Sequence, residues 1–195
     1  MRTSAHSNYG VCRRESKNSH HRGFTIIELM ITVLVMAILI LVAVPSLREF
    51  LLEQRVKAAL SEFQRGVSLA RAEAVRRNQR VTLAAADTTC TDFKQGWRVF
   101  YDNSANQCYA TGETQIMLSP ALDTALSVAW TNGDSNKPYL IFTPTGGVAM
   151  ANGANGASSW SISVPSATSI PVRTLCINFY GRTRILKGST NCSTG

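Results

Sequence analysis

The sequence predicts an α+β chain in which one long N-terminal helix is followed by a β-rich domain. Three observations carry that expectation. Phe24 to Val44 reads FTIIELMITVLVMAILILVAV, with Glu28 as its one charge. From Leu52 to Ala74 apolar residues recur three or four apart, the period of one helix face. Beyond Arg80 that period gives way to short alternating or apolar runs separated by Gly, Asn, Asp, Ser and Pro.

The 195 residues allow one domain with appendages. Met1 to Gly23 is polar and basic, with Arg2, Arg13, Arg14, Lys17 and Arg22 set against Glu15. The apolar run behind it would rise roughly 30 Å as a helix, the thickness of a bilayer's hydrocarbon core. A soluble core helix rarely runs so far without a polar face. Positive charge on one flank holds that flank in the cytoplasm, which sends the rest of the chain across the inner membrane. An ordinary secretory signal would put a small-residue cleavage site after the run. Here the run passes through Ala43, Val44, Pro45 and Ser46 directly into an amphipathic pattern, so the apolar segment reads as retained.

The amphipathic stretch is expected to stay helical to about Arg77. Leu52, Val56, Ala59, Phe63, Val67, Ala70 and Ala74 share one face. Arg48, Glu49, Glu53, Arg55, Lys57, Glu62, Arg65 and Arg71 take the other. The apolar face needs a partner, which the following residues supply. Strand-like runs lie at 81–83, 97–101, 116–118, 126–130, 139–142, 148–150, 160–164, 175–179 and 182–186. Residues 151–158, small and polar, read as a flexible loop. The organisation is therefore 1–23 as a leader, 24–47 as an apolar half-helix, 48–79 as an amphipathic half-helix and 80–195 as the β-rich domain.

The net charge of +8 divides equally between the leader and the remainder. The remaining basicity permits a polyanionic partner without requiring one. His6, His20 and His21 all precede Phe24, which excludes a Ser-His-Asp triad in the rest of the chain. Gly112, Gly146-Gly147 and Gly181 form no phosphate cradle. Asp87, Asp92, Asp102, Asp123 and Asp134 stand in turn contexts, where their side chains bond nearby backbone. No enzyme activity, cofactor or metal site is expected. Cys12 lies in the leader, and Cys90, Cys108, Cys176 and Cys192 read as two disulfides of an exported domain. Four cysteines permit three pairings; the sequential one, Cys90–Cys108 and Cys176–Cys192, closes two short loops and is the one expected. A zinc site lacks both a CxxC pair and a histidine in this part of the chain.

Near the C-terminal end stands Gly181-Arg182-Thr183-Arg184. In an extended strand Arg182 and Arg184 would share a face about 6–7 Å apart, a spacing that bridges successive phosphates. Lys187 follows and Arg173 precedes, and no acid occurs after Asp134. Tyr180 and Phe179 offer rings for stacking. Taken alone, these residues fit equally well an exposed edge strand kept soluble by charge.

The segment His21-Arg22-Gly23-Phe24-Thr25-Ile26-Ile27-Glu28-Leu29 needs explaining as a unit. A carboxylate inside an apolar span costs at least ~2.5 kcal/mol and calls for a partner. A cut after Gly23 would create an amino group at Phe24, four residues before Glu28. This junction resembles the type III signal sequence of type IV pilins and type II secretion pseudopilins. The resemblance implies the type IV pilin fold, cleavage between Gly23 and Phe24 by a prepilin peptidase, and methylation of the new terminus. It implies that Glu28 pairs with the amino terminus of a neighbouring subunit during assembly. Pro45 falls where such helices carry a proline, which should kink or locally melt the helix.

Leu69-Ala70-Arg71-Ala72-Glu73-Ala74-Val75-Arg76-Arg77-Asn78 resembles the ARSEAIRRN segment of the GspH/FimT family. Gly96-Trp97 and Ile141-Phe142-Thr143-Pro144-Thr145-Gly146 fit the same family, which implies two antiparallel sheets behind the helix. Gly181-Arg182-Thr183-Arg184 is similar to the C-terminal GRxR motif of FimT-type minor pilins, which bind DNA during natural transformation. The resemblance thus implies other major and minor pilins, a prepilin peptidase, the inner membrane and double-stranded DNA as partners. Arg182, Arg184, Lys187 and Arg173 would be the DNA contacts. The location implied is a single pass of the inner membrane with the domain in the periplasm, and then the pilus fibre. A structural minor pilin that primes assembly, and a GspH-type pseudopilin of a type II secretion system, share the junction, the helix and the fold; the basic, acid-free tail favours the DNA-binding reading.

Overall fold

The computed structural model describes residues 23–103, 107–132, 138–149, 157–190 and 192, with backbone alone at 42, 45 and 132. The chain divides into two compact units after Ala43. The leader through residue 22, Cys12, Asp134, Lys137 and positions 151–156 of the expected loop lie outside the described residues.

In the first unit Gly23, Phe24 and Thr25 precede the helix α1, Ile26–Arg77. Thr25 caps it: its hydroxyl accepts from the Glu28 amide at 3.2 Å, and its carbonyl accepts from the Leu29 amide at 3.2 Å. Threonine followed by a glutamate three residues on is a capping pattern, because the first helical amides have no partner of their own. The described side chains up to Ala43 are exposed, and the helix is long and apolar enough to cross a membrane. The Thr32 hydroxyl donates to the Leu29 carbonyl at 2.8 Å, so it needs no water. The backbone stays helical through Pro45, without the local melting expected there.

In the second unit the rest of α1 packs on two antiparallel sheets. The strands are β1 Val81–Ala85, β2 Trp97–Tyr101, β3 Gln115–Ser119, β4 Ser127–Asn132, β5 Tyr139–Phe142, β6 Val148–Ala149, β7 Ser158–Ser163, β8 Arg173–Ile177 and β9 Thr183–Lys187. One sheet runs β3-β2-β1-β5-β6 and the other β4-β7-β8-β9. The expected strand runs all correspond to these, two with the same bounds and the rest with ends shifted by at most two residues.

The helix face meets both sheets. Val56, Ala59, Phe63, Val67, Ala70 and Ala74 are buried as the spacing requires, and Leu60 joins them. Phe63 is the hub. It lies edge-on to Trp97 of the first sheet at 5.2 Å and flat on Trp160 of the second at 4.3 Å. In β1 every residue is buried. Val81, Leu83 and Ala85 join the main core, while Ala84 joins a smaller cluster with Cys90, Phe100, Tyr139 and Ile141. The first sheet is therefore covered on both faces, the second by Cys90, Cys108 and Tyr109.

The cysteines part company. Cys176 and Cys192 are bonded, with Cα atoms 5.7 Å apart. Cys90 and Cys108 remain thiols, in place of the second disulfide expected. Both belong to the smaller cluster, where the Cys90 thiol is turned to the Gln107 carbonyl at 3.8 Å. Of the aspartates, Asp87, Asp92 and Asp123 accept from nearby backbone amides as expected of turns. Asp102 is instead buried at the end of β2 and accepts from the Thr82 hydroxyl at 3.0 Å.

Candidate nucleic-acid interface

The GRTR segment forms the return of the β8–β9 hairpin. Asn178 and Arg182 close it, through Asn178 N–H to the Arg182 carbonyl at 3.0 Å. The Gly181 amide donates to the Asn178 carbonyl at 2.8 Å, and Gly181 has φ +72°. A three-residue loop of this type ends in a left-handed residue, which explains the glycine. The Asn178 side chain completes the turn by accepting from the amides of Tyr180 at 3.1 Å and Arg182 at 2.9 Å.

The β5–β6 return is built the same way. Thr143 N–H donates to the Gly147 carbonyl at 2.9 Å, and Gly146, with φ +79°, donates to the Thr143 carbonyl at 2.8 Å. The two returns, one from each sheet, abut. The Val148 amide donates to the Phe179 carbonyl at 2.8 Å. From the helix, Arg71 Nε donates to the Gly146 carbonyl at 2.9 Å and Nη1 to the Gly181 carbonyl at 3.4 Å.

The basic residues hang from this corner and the strand beyond it. Arg182 stands just before β9 and lines a groove of about 520 Å³ with Arg71, Thr145, Gly147 and Tyr180. Arg184 lies opposite Cys176 in the ladder and leans to the Cys192 carbonyl at 3.5 Å, so the disulfide sits directly beneath it. Arg182, Arg184 and Lys187 are all exposed, and among the described residues no carboxylate pairs with Arg182 or Lys187. Strand alternation puts Lys187 on the face opposite Arg184, so the three cations line a rim and not one face. Phe179 and Tyr180 at the tip are exposed, with ring centroids 3.8 Å apart.

Arg173 does not belong to this rim. Its guanidinium pairs with Glu53 of the helix at 3.0 Å and its side chain is only 16% exposed. The Glu53 carboxyl is held below its usual range by the hydrogen bond from Lys57 and then by that from Arg173. The sequence placed Arg173 among the cations because a contact across 120 positions is invisible in it.

Two positioning features escaped the sequence reading. Asn178 and Thr143 each stand three residues before a glycine after a strand, a turn signal that would have revealed both returns. Arg71, assigned to the polar face, is half-buried beside Ala70 and Ala74 and reaches the sheets. Close by, Glu73 accepts from the Tyr101 hydroxyl at 2.7 Å and from Arg76 Nη2 at 2.6 Å. The bond from Arg76, and then that from Tyr101, keep the Glu73 carboxyl below its ordinary value.

Residues 59–181 match the family described as type II transport protein GspH, and residues 18–44 match the prokaryotic N-terminal methylation motif. No curated protein matches the chain. Among solved structures, the type IV minor pilin FimU of Pseudomonas aeruginosa in space group P21 is 18% identical, with a TM-score of 0.52. That likeness covers 70% of this chain and 92% of FimU. The minor pseudopilin EpsH from the type 2 secretion system of Vibrio cholerae is 14% identical, with a TM-score of 0.49, covering 68% of this chain and 97% of EpsH. The fold is that of type IV pilins, and the chain belongs to the family described as type II transport protein GspH and carries the prokaryotic N-terminal methylation motif.

Proposed function

We propose that this chain is a non-catalytic minor pilin of a type IV pilus that binds double-stranded DNA without sequence preference, for uptake in natural transformation. One observation carries the reading. The β8–β9 hairpin, cross-linked at Cys176–Cys192, displays Arg182, Arg184 and Lys187 to solvent within a stretch of sequence that holds no acid after Asp134. Guanidinium groups bind phosphate by paired hydrogen bonds, and the exposed rings of Phe179 and Tyr180 add a stacking surface. Such contacts neutralise phosphates and read no bases, so binding is salt-sensitive and sequence-independent.

In the same reading, a prepilin peptidase cuts between Gly23 and Phe24 and methylates the new terminus. The α1 segment holds the chain in the inner membrane with the β-rich domain in the periplasm, and then in the fibre. There Glu28 meets the amino terminus of a neighbouring pilin.

The test is a DNA shift assay across a salt series with the protein and its Arg182→Ala/Arg184→Ala variant. Log K should fall by about 0.9 per phosphate contact per tenfold salt, so the double variant should lose about 1.8 of slope. Equal binding by both proteins removes the proposal. A pseudopilin role in type II secretion is the second reading, favoured by the description of the matching family. That match stops at Gly181, one residue short of the cations. Disruption of the gene separates the two: loss of transformation with intact protein secretion supports the first, and the reverse supports the second.

A further inference from the structure

We propose that Arg71 is the positioning residue that locks the β5–β6 and β8–β9 returns together and so fixes Arg182 for contact with a polyanion. The proposal rests on the nucleic-acid reading above. Arg71 lies on the helix, yet its guanidinium donates to a carbonyl of each sheet, Gly146 at 2.9 Å and Gly181 at 3.4 Å. Apart from the bond between Val148 and Phe179, this bridge is what joins the tips of the two returns among the described residues. The packing around it is close. A Cβ added to Gly181 would stand 2.5 Å from the Gly146 carbonyl oxygen, and one added to Gly146 would stand 3.2 Å from Arg71 Nε.

The fork geometry matters as much as the charge. A planar guanidinium directs separate N–H groups at two carbonyls at once, whereas a lysine ammonium is a point charge on a flexible stem. Arg182 follows Gly181 directly, and its amide is held by Asn178 Oδ1 at 2.9 Å. Fixing the Gly181 carbonyl therefore fixes the stem from which Arg182 projects. Arg182 and Arg71 both line each of two grooves, of about 520 and 780 Å³. Without the bridge, the hairpin tip samples positions in which Arg182 is misplaced, and apparent affinity falls with the fraction that remains competent.

The experiment uses the full chain in detergent micelles, with Arg71→Lys, Arg71→Met, Arg182→Ala/Arg184→Ala and the core variant Val56→Ala. Two readouts are taken: binding to a mixed-sequence DNA duplex over a salt series, and the rate of trypsin cleavage after Arg182. Both Arg71 variants should bind about tenfold more weakly, at an unchanged salt slope, and be cut faster at Arg182. Val56→Ala should be less stable yet bind as the parent does, which separates positioning from general loss of stability. Full affinity in Arg71→Lys would show that charge alone suffices and would overturn the proposal. So would a slope lower by about 0.9 in Arg71→Met, the mark of a direct phosphate contact. If the parent binds no DNA, the functional reading fails. The trypsin rates then decide the clasp alone, and parent-like cleavage of Arg71→Lys and Arg71→Met would sink it.

Discussion

The Phe63 ring lies flat against the Trp160 indole, with centroids 4.3 Å apart and planes 7° from parallel. One helical side chain thus couples the second sheet to the first, because the same ring meets Trp97 edge-on at 5.2 Å. Phe63→Ala should destabilise the domain by about 3–5 kcal/mol, since the surrounding aromatic cage closes poorly over a lost ring. Urea unfolding followed by tryptophan fluorescence measures this; a loss under about 1 kcal/mol would contradict the hub role.

Gly181 and Gly188 both have left-handed backbone, at φ +72° and +77°. They differ in surroundings. A Cβ at Gly188 meets nothing within 4 Å, whereas one at Gly181 meets the Gly146 carbonyl oxygen at 2.5 Å. Gly188→Ala should cost about 1 kcal/mol, the backbone strain alone. Gly181→Ala should cost more than about 2 kcal/mol, because the two returns must also move apart. Thermal melts of the two variants side by side check the difference, and equal losses would mean that the returns do not pack as described.

The Cys176–Cys192 bond spans 16 positions of sequence. Closing a loop of that size removes about 3 kcal/mol of unfolded-chain entropy. Replacing both cysteines by serine should lower stability by about 2–4 kcal/mol. Arg184 rests beside this bond through the Cys192 carbonyl, so DNA affinity should fall as well. Unfolding curves and shift assays with the double serine variant test both parts. Undiminished affinity would show that the cross-link does not shape the rim.

Partial burial pushes the Asp87 carboxyl upward, but donors from Thr89, Thr91 and the Asp92 amide outweigh it and bring it down to about 2, from an ordinary 3.8. A carboxyl lowered by folding adds stability above its unfolded value and loses it as pH falls through its folded one. Stability should therefore hold above about pH 5 and decline between about pH 4 and pH 2. Asp87→Asn should flatten part of that decline. Denaturant midpoints at pH 2.5, 4 and 6 would show it, and identical pH curves for both proteins would count against the Asp87 loop.

The elements of this fold were legible because each repeats a short-range pattern. Phe63 and Val67 announce a buried stripe by spacing alone, and Trp97 to Tyr101 announces a strand by its bulky apolar run. Leu60 was missed because it widens the stripe to a neighbouring row. Contacts between distant positions were not legible. Arg173 reads as one more cation of a basic tail until Glu53 is found beside it. Arg71 reads as solvated until the sheets close around it. Arg182 and Arg184 were found by motif, but the turn that separates their settings depends on Asn178 and on the neighbouring return.

The start of α1 has a consequence for maturation. The groups that accept from the Glu28 and Leu29 amides belong to Thr25, which lies after Gly23 and Phe24. A cut at that junction removes none of them. The helix would keep its own end cap after proteolysis, and the new amino group would arise two residues before a start that is already closed.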